Sequence, residues 1–208
     1  CTRERNVSVH AALCAAITLA GRDIHPPWRE RAVSIFSPVD IRGLLQLRDQ
    51  CMDAFSKASS MAEVQSVPDL WALARSIRAS LLPFKTLEGN APGFEALHAA
   101  MSANMSVEEG ARFNRAAFAE DLMVSNLGSI PYEPVIGKLR IKSLWGPVFL
   151  RGHWPEQTIG VVTANESLHL VHTAWSPIPD LLEATVRKLE ESCVPLGATL
   201  GERPYLRS

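Results

Sequence analysis

Apolar positions fall in two different rhythms along the chain. From Val9 to Ala20 hydrophobic and small residues follow one another with only His10 and Thr18 between them. Ser8 is placed to cap a helix over that stretch, and Gly21 to end it in a left-handed turn. Apolar side chains cover nearly every side of this helix, and Ala11, Ala12, Ala15, Ala16 and Ala20 let neighbouring backbone come close, so it belongs inside a layer. Asp23 to Arg31, with Pro26 and Pro27, reads as a connection. Val33 to Phe36 reads as a short strand, and Pro38 to Gly43 as an extended segment that turns. Asp49 to Val67 is small and polar, which predicts a surface excursion. Asp69 caps a helix through about Leu82, in which Leu70, Leu73, Ala74, Ile77 and Leu81 recur at three and four residue spacing, with Arg75 and Arg78 off the stripe and solvated. Gly89 to Gly93 reads as a loop, and shorter helices follow around Phe94 to Met101 and Val107 to Ala119.

From Leu122 onward the period shortens to two. Leu122 to Asn126 reads as a buried strand, and Lys138-Leu139-Arg140-Ile141-Lys142 alternates as a half-exposed strand does. Thr158 to Ala164 and Leu168 to Trp175 are two more strands, separated by Asn165-Glu166-Ser167 at hairpin length. Asp180 starts a closing helix, with Leu182, Val186, Leu189 and Cys193 on one side and Glu183 paired to Arg187 outside. Helices first, then strands, then a helix predict an α/β layered sandwich: a mixed or antiparallel sheet flanked by helices, without regular Rossmann alternation.

Composition narrows the classes of function. With 208 residues, 47% of them hydrophobic, the chain can bury a core as one folded unit. The 21 Lys and Arg against 22 Asp and Glu leave a charge of -1, so no net field draws it to nucleic acid or an anionic membrane. Its longest apolar stretch falls short of the roughly 20 residues of a membrane span. Cys1, Cys14, Cys51 and Cys193 are scattered without a two-residue pair, which fits free thiols in a reducing compartment such as the cytoplasm. The opening Cys1-Thr2-Arg3-Glu4-Arg5 has neither initiator methionine nor signal peptide, as expected of a piece cut from a longer chain.

Several constellations carry chemistry only if the fold allows it. His10 and Cys14 share a helix face and could form a base and nucleophile, but on so apolar a helix burial raises the thiol pKa, and packing is the better reading. His169 and His172 stand three apart on a strand, which sends them to opposite faces and argues against shared metal ligation. Lys138, Arg140 and Lys142 could meet a phosphate-bearing ligand such as coenzyme A, or simply keep a strand edge solvated. Trp28, Trp71, Trp145, Trp154 and Trp175 read as core or pocket walls, since no basic groove accompanies them. Val124-Ser125-Asn126-Leu127-Gly128 places two polar side chains at the end of an apolar strand before a glycine; a strand-to-turn cap and a ligand-facing site fit equally.

The order of these features resembles a known superfamily. The Ala-rich helix Val7-Ser8-Val9-His10-Ala11-Ala12-Leu13-Cys14, then Ser37-Pro38-Val39-Asp40-Ile41-Arg42, then Val124 to Gly128, then Glu166-Ser167-Leu168-His169-Leu170 and a closing helix, resemble the C-terminal half of condensation-domain acyltransferases. The likeness is greatest to the polyketide-associated and phthiocerol dimycocerosyl transferase branch, together with the alcohol acetyltransferases. It implies one chloramphenicol acetyltransferase-like lobe over residues 1–208, whose partner is an N-terminal lobe carrying His-His-x-x-x-Asp-Gly. The second His of that motif is the general base on an alcohol or amine, which attacks the thioester of acyl-CoA or an acyl carrier protein. No such motif occurs in this chain, so no catalytic residue is assigned to it. The resemblance places Ser125, Asn126 and Gly128 at the substrate tunnel and Asp40 and Arg42 as a structural ion pair near the lobe interface. It implies no bound cofactor or metal. The alternative is a non-catalytic module of the same fold that docks a carrier protein or self-associates into a homo-oligomer.

Overall fold

Small residues decide how the helices and the sheet meet. The computed structural model describes residues 2–47, 50–64, 69–148, 150 and 154–193. Its elements are α1 (Val9–Ile24), α2 (Pro26–Glu30), β1 (Val33–Asp40), β2 (Phe55–Ala62), α3 (Leu70–Leu81), α4 (Leu87–Ser102), α5 (Val107–Ala117), β3 (Leu122–Ser129), β4 (Val135–Ile136), β5 (Leu139–Arg140), β6 (Gln157–Ala164), β7 (Ser167–Thr173) and α6 (Leu181–Cys193). The main sheet runs β2-β1-β3-β6-β7 and is mixed: β1, β3 and β6 are parallel in the centre, and β2 and β7 close the two edges antiparallel. This is the layered α/β arrangement expected, with the mixed alternative realised. β4 and β5 form a separate two-stranded ladder.

The core lies between one face of the sheet and α1, α3 and α6. Ile35 of β1, Leu122 and Val124 of β3 and Ile159 and Val161 of β6 are fully buried beneath α1, whose residues Ala11 to Gly21 are buried all round. Ser8 caps α1 by accepting from Ala11 N at 3.1 Å. The helix does not end at Gly21; it continues to Ile24 and stops at His25. Gly21 serves a close approach instead: a Cβ there would lie 2.3 Å from Cε3 of Trp28, which is buried on it from α2, the short helix inside the expected connection.

Other expectations are corrected by tertiary context. The excursion over 49–67 contains an eight-residue strand, β2, with Ser56, Ala58, Ser60 and Ala62 facing inward; residues 49 and 65–67 lie outside the described residues, as does Cys1. The loop at Gly89 to Gly93 is the first half of α4, and β1 runs on through Pro38 to Asp40. The predicted strand over Lys138 to Lys142 shrinks to Leu139–Arg140, whose Leu139 is 76% exposed and whose ladder among the described residues is with the two-residue β4. On α6 the buried side is Leu181, Ala184 and Thr185, and Leu182, Val186 and Leu189 flank it half-buried, since the small pair allows the closer contact with the layer. Arg78 is not simply solvated; its guanidinium donates to the carbonyl of Asn6 at 2.8 Å and to its side-chain oxygen at 2.9 Å. Trp28 and Trp71 are core, but Trp145, Trp154 and Trp175 are exposed. α3 and the β6–β7 hairpin match expectation, the latter through a two-residue turn at Asn165 and Glu166, both left-handed.

Polar pins complete the frame. Asp121, just before β3, accepts both guanidinium nitrogens of Arg31 at 2.8 and 2.6 Å and both the backbone N–H and the hydroxyl of Ser34 at 2.9 and 2.8 Å. These four bonds hold the starts of β1 and β3 in register. Lys57 of β2 is ion-paired to Glu120 beside it. On the opposite sheet face, a Cβ on Gly160 of β6 would overlap the carbonyl oxygen of Pro147, so the chain around Pro147 lies directly on β6.

Candidate functional site

Parallel central strands bring their carboxyl ends to one edge, and in open α/β sheets ligands bind in the crevice beyond such ends. Here the ends of β1 and β3 and the start of α1 enclose a cavity of about 310 Å³. Its walls include Ser8 and His10 of α1, Ser37, Pro38 and Val39 of β1, and Asn126, Leu127 and Gly128 of β3, with Arg78, Leu81 and Lys85 closing the side toward α3. Among the described residues, none that lines it is a carboxylate.

His10 is the titratable centre of this wall. Its Nε2 is hydrogen-bonded to Ser37 Oγ at 2.7 Å, and Cys14 Sγ lies 3.5 Å from the same nitrogen. Burial, aided by the positive charge of Lys85, lowers the imidazole pKa from 6.5 to about 4, so the ring is neutral at physiological pH. The Cys14 thiol is fully buried, and desolvation pushes it up to about 12 against the opposing bond to Ser37. A thiol held protonated and an imidazole so weakly basic do not form a nucleophile and base; the packing reading of that pair describes it. Ser37 was not legible as its partner, because a contact across 27 positions leaves no local pattern.

Asn126 and Gly128 meet at this cavity, and Ser125 does not. Asn126 Oδ1 accepts from Gly128 N at 2.8 Å, and Gly128 takes a left-handed φ of 71° where the β3–β6 register shifts. The capping reading therefore holds for the Asn126 oxygen, while the amide nitrogen donates to nothing among the described residues. Ser125 pairs in register with Gly160 and points to the other sheet face, the one on which the chain around Pro147 lies.

The remaining sequence candidates stand apart from the cavity. Asp40 accepts the backbone N–H of Arg42 at 2.9 Å, and the Arg42 guanidinium donates to the carbonyls of Gln50 and Met52. The two residues thus clamp the turn after β1 through backbone partners, where a side-chain ion pair was expected. Lys138, Arg140 and Lys142 are exposed in and after the β4–β5 turn. His169 and His172 take opposite faces of β7: His172 is bonded to Gln157 Oε1 at 2.9 Å, and His169 meets the edge of Trp145 at 5.0 Å between ring centres. Among the described residues no cluster of three His, Cys, Asp or Glu is arranged to hold a metal, and no helix is long and apolar enough to cross a membrane. The described cysteines, Cys14, Cys51 and Cys193, are free.

Comparison with known proteins places this geometry. No curated protein sequence matches the chain. Among solved structures, polyketide synthase associated protein 5 from Mycobacterium tuberculosis superposes with a TM-score of 0.56 at 17% identity, covering 90% of this chain and 45% of its own. A condensation domain associated with chain release from the enacyloxin polyketide synthase gives 0.53 at 11% identity over 98% of this chain and 40% of its own. The epimerization domain from the third module of tyrocidine synthetase B gives 0.52 at 13% identity over 92% and 42%. At these identities the likeness is one of fold, the condensation-domain fold of the chloramphenicol acetyltransferase type, and the chain spans less than half the length of each. The model of the phthiocerol/phthiodiolone dimycocerosyl transferase C-terminus matches residues 1–161. The chain therefore belongs to that family and is a C-terminal domain of the acyltransferase and condensation type.

Proposed function

We propose that this chain is the C-terminal lobe of a two-lobed acyltransferase that moves an acyl group from an acyl-CoA or acyl carrier protein thioester to an alcohol or amine. The observation that carries the reading is the cavity at the β1 and β3 ends, which has hydrogen-bonding walls but an imidazole too weakly basic to deprotonate an acceptor at neutral pH. Such a wall binds and orients substrate; the proton must be taken by a base from elsewhere, for which an N-terminal lobe with His-His-x-x-x-Asp-Gly is the source the family suggests. Exposed apolar side chains are available for a lobe contact: Ile136, Leu139, Trp145, Val148 and Trp154 are each more than 60% exposed. The test is thiol release from acyl-CoA esters of several chain lengths with added alcohols or amines. The chain alone should give no turnover above buffer, and the chain joined to an N-terminal lobe should turn over and lose that activity when the second His of its motif is changed to Ala. Turnover by this chain alone, or none by the joined lobes, would refute the proposal.

A second reading is favoured by the same exposed apolar side chains: a non-catalytic module that docks a carrier protein or a second copy of itself. Sedimentation separates the two. The module reading predicts self-association or a stable carrier complex without acyl transfer, and a monomer that binds no carrier removes it.

A further inference from the structure

We propose that α4 and α5 form a two-fold docking face for a second copy of this chain, with α4 of each copy lying against α5 of the other. The face is independent of the acyl-transfer reading and uses residues other than those available for a lobe contact.

Packing is the first argument. Leu87, Phe94 and Met101 recur at seven-residue spacing on α4 with Leu97 between them, the rhythm of a seam that meets another helix. Yet among the described residues α4 buries only Asn90, and α5 buries none. The pair is held at its outer ends. The Asn90 amide donates to the carbonyls of Phe84 and Thr86, and Phe118, which follows α5, packs on Phe36 with ring centres 5.9 Å apart. Away from these anchors exposure climbs, from 38% at Phe94 and 50% at Leu97 to 75% at Met101 and 85% at Val107. Helices this short owe their stability to a packed face more than to propensity, and α5 has a complete capping box at Ser106 and Glu109 but no such face.

Charge is the second argument, and it selects the occupant. α4 carries Glu88 and Glu95 in one row beside the seam and has no Lys or Arg. α5 carries Arg112 and Arg115 together on one flank, while its Glu109 is taken up by the backbone N–H of Ser106 at 2.8 Å. Among the described residues none of Glu88, Glu95, Arg112 and Arg115 is ion-paired. Laying α5 of one copy on α4 of the other sets the two arginines against the two carboxylates. The two-fold repeats that pairing, so the contact closes at two copies.

Sedimentation equilibrium of the purified chain tests this, at protein concentrations on the order of 1–100 μM. The unaltered chain should be a concentration-dependent dimer. Arg112→Glu with Arg115→Glu, and separately Glu88→Arg with Glu95→Arg, should each weaken association by about tenfold or more. All four side chains are exposed, so circular dichroism should show the native helix signal in both altered chains. An equimolar mixture of the two should associate again, because each then offers the charge that the other lacks. Met101→Glu should weaken the dimer as well, and Leu139→Glu on β5 should leave it as it was. A monomer at every concentration, a dimer indifferent to both reversals, or a mixture that fails to re-associate would overturn the inference. So would a dimer lost with Leu139→Glu and kept with Met101→Glu. Hydrogen-exchange protection of α4 and α5 that arises only in a monomer joined to an N-terminal lobe would overturn it too, by giving the face to that lobe. Acyl transfer by the joined lobes decides the reading under Proposed function, and its presence or absence leaves the result of the charge exchange unmoved.

Discussion

His10 makes the stability of this fold depend on pH in a window where few other groups act. In the unfolded chain an imidazole binds a proton near 6.5; in the folded chain burial and Lys85 lower that to about 4. Above pH 6.5 both states hold the ring neutral and no stability is lost. As the pH falls below 6.5 the unfolded state takes up a proton that the folded state refuses, and the loss is complete once the pH is below about 4. The difference between 6.5 and about 4 corresponds to roughly 3 kcal/mol, a large share of the 5–15 kcal/mol typical of a domain. Urea unfolding at several pH values between 7.5 and 4 measures it, with His10→Gln as the comparison, because glutamine can keep a bond to Ser37 and cannot titrate. The unfolding free energy of the unaltered chain should fall more steeply than that of His10→Gln, by roughly 3 kcal/mol across the window. His25 and His172, also lowered by burial, act in the same direction in both proteins and cancel in the difference. Parallel curves for the two proteins, or a His10 proton resonance titrating near 6.5, would refute the reasoning.

Three further outcomes follow from the packing. Gly21→Ala should destabilise by about 1–3 kcal/mol, despite the better helix propensity of alanine, because its methyl overlaps the buried Trp28 ring; a rise in melting temperature would contradict the close approach. Asp121→Asn should cost roughly 2–3 kcal/mol near neutral pH, with the half-exposed Arg31 limiting the figure. Burial pushes the Asp121 carboxyl up, but the bonds from Arg31 and Ser34 outweigh it and hold the pKa below the usual carboxylate range, so the cost should vanish as the pH drops through that low value; a cost unchanged at acid pH would count against the four-bond pin. In the folded protein at pH 8, iodoacetamide should label the exposed Cys51 and Cys193 and spare Cys14, and equal labelling of all three, read by peptide mass, would show that the α1 interior opens.

What was legible in the amino-acid order was whatever repeats locally. α1, α3 and the β6–β7 hairpin carry their own caps, stripes and turn residues, and they form where the pattern places them, except that α1 runs past Gly21 to Ile24. β2 was hidden because its inward face is built from Ser56, Ala58, Ser60 and Ala62, which alternate in burial but not in hydropathy. The first half of α4 was hidden by Gly89 and Gly93, yet Gly89 lies where a Cβ would meet the Pro83 carbonyl at 2.0 Å, a tertiary demand that a local reading takes for a loop. Within the candidate site, Asn126 and Gly128 were visible as polar and flexible residues at a strand end. Ser37, Arg78 and Lys85 were not, since they reach the cavity only through the parallel pairing of β1 with β3 and the packing of α3.

The cavity exists for the same physical reason that parts of the fold were hard to read. A helix can begin at the carboxyl ends of two buried parallel strands only if its sides are small enough to lie on them, and Ala11, Ala12, Ala15 and Ala16 provide that fit at almost no exposure. Bulkier residues would hold α1 away from the sheet, and His10 would then stand too far from Ser37 for the 2.7 Å bond that fixes its ring. Desolvation by that close packing, aided by the charge of Lys85, lowers the His10 pKa to about 4, so the ring stays neutral in a wall that Arg78 and Lys85 also line. Tight packing of α1 on the sheet thus gives this site a hydrogen-bonding wall whose imidazole is too weakly basic to take a proton at neutral pH.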